Sequence, residues 1–282
     1  LLSEHGNNIT LNEKLFARIK AVYDQKDQAN LTPEQNKLLE KVYNSFVRSG
    51  ANLEGEAKEQ YRALSKELSL LTLQFGENNL KETNDYKLVL TDPAQLAGLP
   101  QSAIDAAAET AKEKGVEGWV FTLQAPSYSP FMTYASNRDL RCKLYMAYNT
   151  KCTHDNETNN LEIVKKLVNT RLAIAQLLGY NSFAEYNLQE RMAENSGNVY
   201  KLLDQLLDAY TPTAKQEYAE VEALARQLEG SDFTVMPWDW SYYSHKLKDQ
   251  KFQIDDEMLR PYFELSKVKE GVFGLATRLY GI

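Results

Sequence analysis

The sequence predicts a mainly α fold with a small inserted β-sheet at about residues 86–135. Three observations support this. Apolar residues recur at spacings of three and four along most of the 282 residues. Capping signatures stand ahead of several of those runs. Between Tyr86 and Ala135 the helical period gives way to short runs of aromatic and β-branched residues. The chain accordingly divides into a helical bundle segment at 1–85, a small β/α insertion at 86–135 and a helical segment at 136–282.

Thr32-Pro33-Glu34-Gln35 has the form of a capping box with proline in the first turn, so a helix starts there. It carries Leu38, Leu39, Val42, Phe46 and Val47 and ends near Gly50. From about Leu53 a long amphipathic helix runs to about Lys81, with Ala57, Tyr61, Leu64, Leu68, Leu71 and Phe75 along one seam. A seam of this length bordered by other helices fits an intramolecular bundle better than a coiled coil. Tyr86–Leu90 and Trp119–Leu123 read as strands, and Asp92-Pro93 and Gly98-Leu99-Pro100 as turns. Ser102–Lys114 reads as a helix closed by Gly115, and Phe131–Tyr134 as a third strand following Pro126 and Pro130.

Helical patterns then resume. Ser136-Asn137-Arg138-Asp139 caps a helix to about Tyr148. Leu161, Val164, Val168, Leu172 and Ala175 face one way on the next, which Gly179 ends. Ser182-Phe183-Ala184-Glu185 is another capping box. Val199, Leu202, Leu203, Leu206, Leu207 and Tyr210 make a further stripe, and Pro212 is expected to kink or restart that helix on its way to Leu228 and Gly230. After Pro237 a helix should pass through Trp238-Asp239-Trp240, with Asp239 in the first turn, where the helix dipole favours an acid. Ser266–Glu270 repeats a cap signature, and the last helix should end at Gly281.

The charge is -7, from 32 basic and 39 acidic residues. Basic residues are interspersed with acidic ones, which argues against nucleic acid or an anionic membrane as partner. No apolar run approaches the ~20 residues that span a bilayer. Leu1-Leu2-Ser3-Glu4-His5 lacks an initiator Met and any signal-peptide pattern, so the beginning is read as an internal cut and an upstream targeting signal is left open. Cys142 and Cys152 form no disulfide framework and have no metal-ligand spacing, which suggests ordinary thiols in a reducing compartment.

A helical zinc peptidase site needs two histidines four residues apart with a glutamate beside the first. His5, His154 and His245 are the only histidines, none has such a neighbour, and HExxH does not occur. All three are read as surface or locally hydrogen-bonded residues. His154-Asp155-Asn156-Glu157 is read as a turn and cap ahead of a helix, not a metal loop. Asp255-Asp256-Glu257 is read as an acidic helix start. A phosphate-binding glycine loop and a GxSxG elbow are both missing. Trp238, Trp240, Tyr242 and Tyr243 suit either a peptide groove or, on the stronger reading, the core of one helix.

Several motifs in order resemble one family. They are Leu2-Ser3-Glu4-His5 through Leu11-Asn12-Glu13; Asn137-Arg138-Asp139-Leu140-Arg141 with Tyr145 and Ala147-Tyr148; Arg171-Leu172-Ala173 leading to Leu177-Leu178-Gly179-Tyr180; and Ala184-Glu185-Tyr186. Trp238-Asp239-Trp240 with Tyr242-Tyr243, Arg260-Pro261-Tyr262-Phe263 and Leu279-Tyr280-Gly281 complete the set. Together they resemble the zinc oligopeptidases typified by thimet oligopeptidase, neurolysin and bacterial peptidyl-dipeptidase, with the peptidyl-dipeptidase branch nearest. The resemblance implies a neurolysin-like helical lobe walling a channel that admits short peptides. It also implies one zinc ion, bound by the two HExxH histidines and a later glutamate, that activates water. None of those groups maps onto a position here. The chain is therefore expected to be an internal, upstream segment of a zinc peptidase that acts on short peptides and releases C-terminal dipeptides. No catalytic or metal-ligating residue is assigned within it, its substrate-binding residues are left undetermined, and it should neither bind zinc specifically nor hydrolyse peptides alone. The parent is expected to be a cytoplasmic monomer, with the periplasm as alternative, and the isolated segment to self-associate through apolar surface. The competing reading is a non-catalytic helical module that binds peptides or partners.

Overall fold

The computed structural model describes residues 2–253 and 256–282. In chain order its α-helices are α1 (Leu2–Thr10), α2 (Glu13–Asp24), α3 (Pro33–Arg48), α4 (Gly55–Asp85), α5 (Gln101–Glu113), α6 (Ala125–Tyr134) and α7 (Arg138–Asn149). They continue as α8 (Leu161–Leu177), α9 (Phe183–Leu188), α10 (Ser196–Glu229), α11 (Trp240–Phe252), α12 (Asp256–Leu259) and α13 (Leu265–Tyr280). Two strands, β1 (Leu88–Leu90) and β2 (Trp119–Phe121), form the sheet. The fold is mainly α with a small inserted sheet, as the sequence predicts. The chain divides into two compact units, Leu1–Glu82 with Cys152–Leu207, and Thr83–Lys151 with Asp208–Ile282.

In the first unit, Thr32 caps α3 through both bonds of the expected box: Gln35 N–H donates to Thr32 Oγ1 (3.3 Å) and Thr32 N–H to Gln35 Oε1 (3.0 Å). Phe16 of α2 stacks on Tyr43 and Phe46 of α3. Leu11, Tyr61 and Ile174 form one core cluster, and Leu71, Ile163 and Leu167 another. Burial first, with the neighbouring Tyr186 adding to it, pushes the Tyr61 hydroxyl up to about 12. The His154–Glu157 stretch turns, as expected, with Thr158 N–H donating to Asn156 Oδ1 at 3.0 Å, but it does not cap α8, whose N-cap residue is Asn160. Glu82 anchors the same loop by accepting from Cys152 N–H (2.7 Å) and Thr158 Oγ1 (2.9 Å). Ser182 caps α9 by accepting from Glu185 N–H (3.1 Å), but the Glu185 carboxylate reaches Asn181 N–H rather than closing a box on Ser182.

On two helices the apolar stripe read from the sequence is not the buried face. On α8 the buried positions are Ile163, Leu167, Thr170, Ile174 and Ala175. Of the expected stripe only Ala175 is among them, while Leu161, Val164, Val168 and Leu172 are exposed. The helix is apolar on two sides, and its neighbour on α4 selects one of them. On α10 the stripe Leu202, Leu203, Leu206, Leu207 and Tyr210 is exposed, whereas Val221, Leu224 and Ala225 are buried. Periodicity reports that a face is apolar, not that a neighbour covers it.

In the second unit, β1 and β2 pair antiparallel with Leu88 opposite Phe121 and Leu90 opposite Trp119. Leu88 and Leu90 point into the core and Val89 outward, the period-two pattern of a sheet covered on one face. Gly118 makes the close approach at the end of this ladder: its φ is +91° and a Cβ there would lie 2.1 Å from Leu90 O. The core comprises Leu88, Leu90, Leu99, Phe121, Leu123, Phe131, Met132 and Leu144 with their neighbours.

The expected third strand is instead helical, because Phe131–Tyr134 closes α6. Pro126 sits in the first turn, where no intrahelical N–H is required. Phe131, Met132 and Ala135 bury at helical spacing, with Phe131 edge-on to Phe121 at 4.6 Å. Pro212 does not restart α10, which runs from Ser196 to Glu229 with the proline inside it. α13 starts at Leu265 after Glu264 rather than at a Ser266 cap, and Gly281 ends it at φ +68°. α12 begins at Asp256, and Asp255 of the acidic trio lies outside the described residues.

Candidate functional site

Two stretches far apart in sequence meet in the second unit. Asn137 caps α7 by accepting from Leu140 N–H at 3.1 Å. Arg138 and Arg141, three residues apart, therefore leave the first turns of α7 on one side. Pro237–Asp239 forms a single 3₁₀ turn that leads into α11. Asp239 at its end is fully buried. Arg138 donates to Asp239 from Nη2 at 2.7 Å and from Nε at 3.1 Å, and Arg141 Nη2 donates to the other carboxylate oxygen at 2.8 Å. Met236 N–H adds a further bond at 3.0 Å.

Burial alone raises the Asp239 carboxyl, but the bonds from Arg138, Met236 N–H and Arg141 outweigh it and hold the group below the usual carboxylate range. The anion is thus the resident form. Arg141 is 1% exposed. It also donates to Ala135 O (2.8 Å) and Ser136 O (3.2 Å), and its guanidinium lies 4.1 Å from the Tyr242 ring centre. A buried ion pair adds little net stability over an apolar replacement. Its effect here is positional: it pins the Pro237–Trp240 turn against α7. Asp239 therefore does more than complement a helix dipole.

The pinned turn sends its two tryptophans different ways. Trp238 packs on the core beside β1 and β2, edge-on to Tyr145 at 6.3 Å. Trp240 is 40% exposed and lies parallel to Tyr218 of α10, with 5.8 Å between ring centres and 7° between planes. Tyr242 and Tyr243 are core residues, packed with Val221, Ala225 and Val235. Tyr243 Oη donates to Glu229 at 2.9 Å, and burial followed by that bond raises its pKa.

Beside Trp240 lies a cleft of about 650 Å³, within the range of small-ligand sites. Tyr145, Glu217, Tyr218, Met236, Pro237 and Trp240 contribute to its walls. Ala214, Glu217 and Tyr218 line it because positions i, i+3 and i+4 of α10 share one face. A second cleft, of about 370 Å³, shares Glu217 and Trp240 with the first.

The residues singled out from sequence take these places. His5 is exposed, and His154 sits 3.9 Å from Glu82. His245 is mostly buried, edge-on to Tyr134 at 4.6 Å with Nε2 3.1 Å from Asp249 Oδ2. Cys142 and Cys152 are free thiols. Among the described residues no group of three or more His, Cys, Asp or Glu side chains could hold a metal ion, so the donors present do not fit a zinc site. Sequence reasoning quoted both the Arg138 and the Asp239 motifs but did not join them, and it passed over Glu217 and Tyr218. The i, i+4 relation of Ala214 to Tyr218 was the available signal.

A family model described as Peptidase family M3 matches residues 131–282. That is more than half of the chain. The chain belongs to peptidase family M3. Arg138, Arg141, Asp239 and every residue named as lining the first cleft fall inside the matched range. Oligopeptidase A of Escherichia coli is 35% identical over all of the chain, which covers 42% of that relative. Dipeptidyl carboxypeptidase of the same organism is 34% identical over all of the chain, covering 41% of it. Saccharolysin of Saccharomyces cerevisiae is 26% identical, with 40% covered. The chain thus spans about two fifths of the length of these M3 relatives.

Proposed function

We propose that this chain is the upstream scaffold and channel-wall part of a zinc metallopeptidase that hydrolyses short peptides and releases C-terminal dipeptides. The observation that carries the reading is a pairing. The chain aligns in full with oligopeptidase A while covering 42% of it, and its own 282 residues contain no HExxH. The metal-binding and catalytic groups then belong to polypeptide outside this chain. The relative named dipeptidyl carboxypeptidase supports dipeptide release.

Within this reading the Trp240 cleft and the arginine-clamped turn beside it help to restrict and orient peptides. Two free thiols support a reducing, cytoplasmic compartment for the parent, as does the relative named probable cytosolic oligopeptidase A of Arabidopsis thaliana, 33% identical over 95% of the chain. Among the described residues no helix is long and apolar enough to cross a membrane.

Reading the gene beyond the codon for Ile282 tests the proposal. An in-frame HExxH downstream is expected. A stop codon directly after Ile282 would overturn it in favour of a non-catalytic helical binding module.

A further inference from the structure

The two clefts that share Trp240 and Glu217 differ in charge. In the smaller one Lys248 and Lys251 stand at the wall, and Lys251 already pairs with Glu220. In the larger one Glu217 is the single charged lining residue. Among the described residues Glu217 has no ion-pair partner. Apart from Ser241 the remaining walls are aromatic or apolar, and Trp240 and Tyr218 are 40% and 44% exposed, so both rings offer accessible surface. An unpaired carboxylate beside accessible indole and phenol rings is the combination that takes an organic cation: the rings attract it by their quadrupoles and the carboxylate neutralises it.

We propose that the cleft walled by Tyr145, Tyr218 and Trp240 is a subsite for a basic side chain, arginine or lysine, of a bound short peptide, with Glu217 as its counter-ion. The proposal rests on reading the chain as the wall of a peptide channel. Ala214 supplies the small residue beside Glu217 and Tyr218 that leaves room for an extended side chain. Arg138 and Arg141 do not compete for Glu217, because both are engaged by Asp239. The clamp also holds the turn from which Trp240 projects, so the ring is placed before a ligand arrives.

The test uses the 282-residue chain and the tripeptide acetyl-Ala-Arg-Ala-amide, whose blocked ends leave the side chain as its one cation. Its partner is the same peptide with neutral citrulline in place of arginine. Tryptophan fluorescence and calorimetric titration should both report binding, about tenfold tighter for arginine than for citrulline. Glu217→Gln, at an exposed position, should remove that discrimination while leaving the circular dichroism unchanged. Trp240→Leu should weaken both peptides. Equal affinity for the two peptides, discrimination that survives Glu217→Gln, or no binding of either peptide would each overturn the subsite. Failure of the peptidase reading shows elsewhere, as an absence of chelator-sensitive hydrolysis by the longer gene product, and leaves the peptide discrimination untouched.

Discussion

Asp239→Asn is the most informative single substitution. It keeps size and shape but removes a charge that is fully buried and accepts bonds from two arginines. Arg138 is 40% exposed and can turn to water, so its loss is expected to cost about 1 kcal/mol or less. Arg141 is 1% exposed and cannot, so its guanidinium stays buried with only carbonyl partners. Breaking a buried pair by removing one partner costs about 3–5 kcal/mol. With about 2 kcal/mol per molar urea for the slope, the midpoint should fall by roughly 1.5–2.5 M. All three tryptophans, Trp119, Trp238 and Trp240, lie in the second unit, so their fluorescence reports its unfolding separately from the first. Arg138→Met should lower the midpoint by about 0.5 M or less. A midpoint for Asp239→Asn within about 0.3 M of the parent chain would refute the clamp as the element holding the Pro237–Trp240 turn.

Other outcomes follow from the same geometry. Because Asp239 is held below its unfolded value near 3.9, its contribution is complete above that value and is lost as pH falls through the lower folded one. The stability gap between the parent chain and Asp239→Asn should therefore hold from pH 7 to about 5 and close in stronger acid, as read by urea titration at each pH. Gly118→Ala should destabilise the second unit by at least about 1–3 kcal/mol, since strain at φ +91° adds to contact with Leu90 O, and the tryptophan-monitored midpoint checks it. Tyr61 should titrate near 12, later than an exposed tyrosine, and Tyr61→Phe should delete that late step from the ultraviolet absorbance titration. The exposed row Leu202, Leu203, Leu206 and Leu207 should make the isolated chain associate with rising concentration, and sedimentation velocity should show the association reduced when Leu203 and Leu207 are replaced by Gln.

Local signals were legible in the sequence where they are self-contained. The Thr32–Gln35 box, the Asn137 cap and the Gly281 stop each depend on residues a few positions apart and stand where the sequence put them, and β1 and β2 fall within their expected runs. What local pattern could not supply was the identity of the neighbour. The side of α8 that turns inward depends on Leu71 of α4, and the exposed stripe of α10 carries the same period as a buried one. Phe131–Tyr134 reads as a strand by composition, yet Pro126 and the Phe121 ring make it the end of a helix. The candidate site follows the same rule. Both of its motifs were visible, but Arg138 and Asp239 become a clamp only once the fold brings them within 2.7 Å.

Hydrolysis tests the central claim most directly. The 282-residue chain and the uninterrupted gene product would be assayed side by side on a quenched short peptide, with zinc and then with a chelator. Chelator-sensitive cleavage by the longer product and none by the 282-residue chain is the predicted result. Zinc-dependent, chelator-sensitive turnover by the 282-residue chain itself would contradict the account.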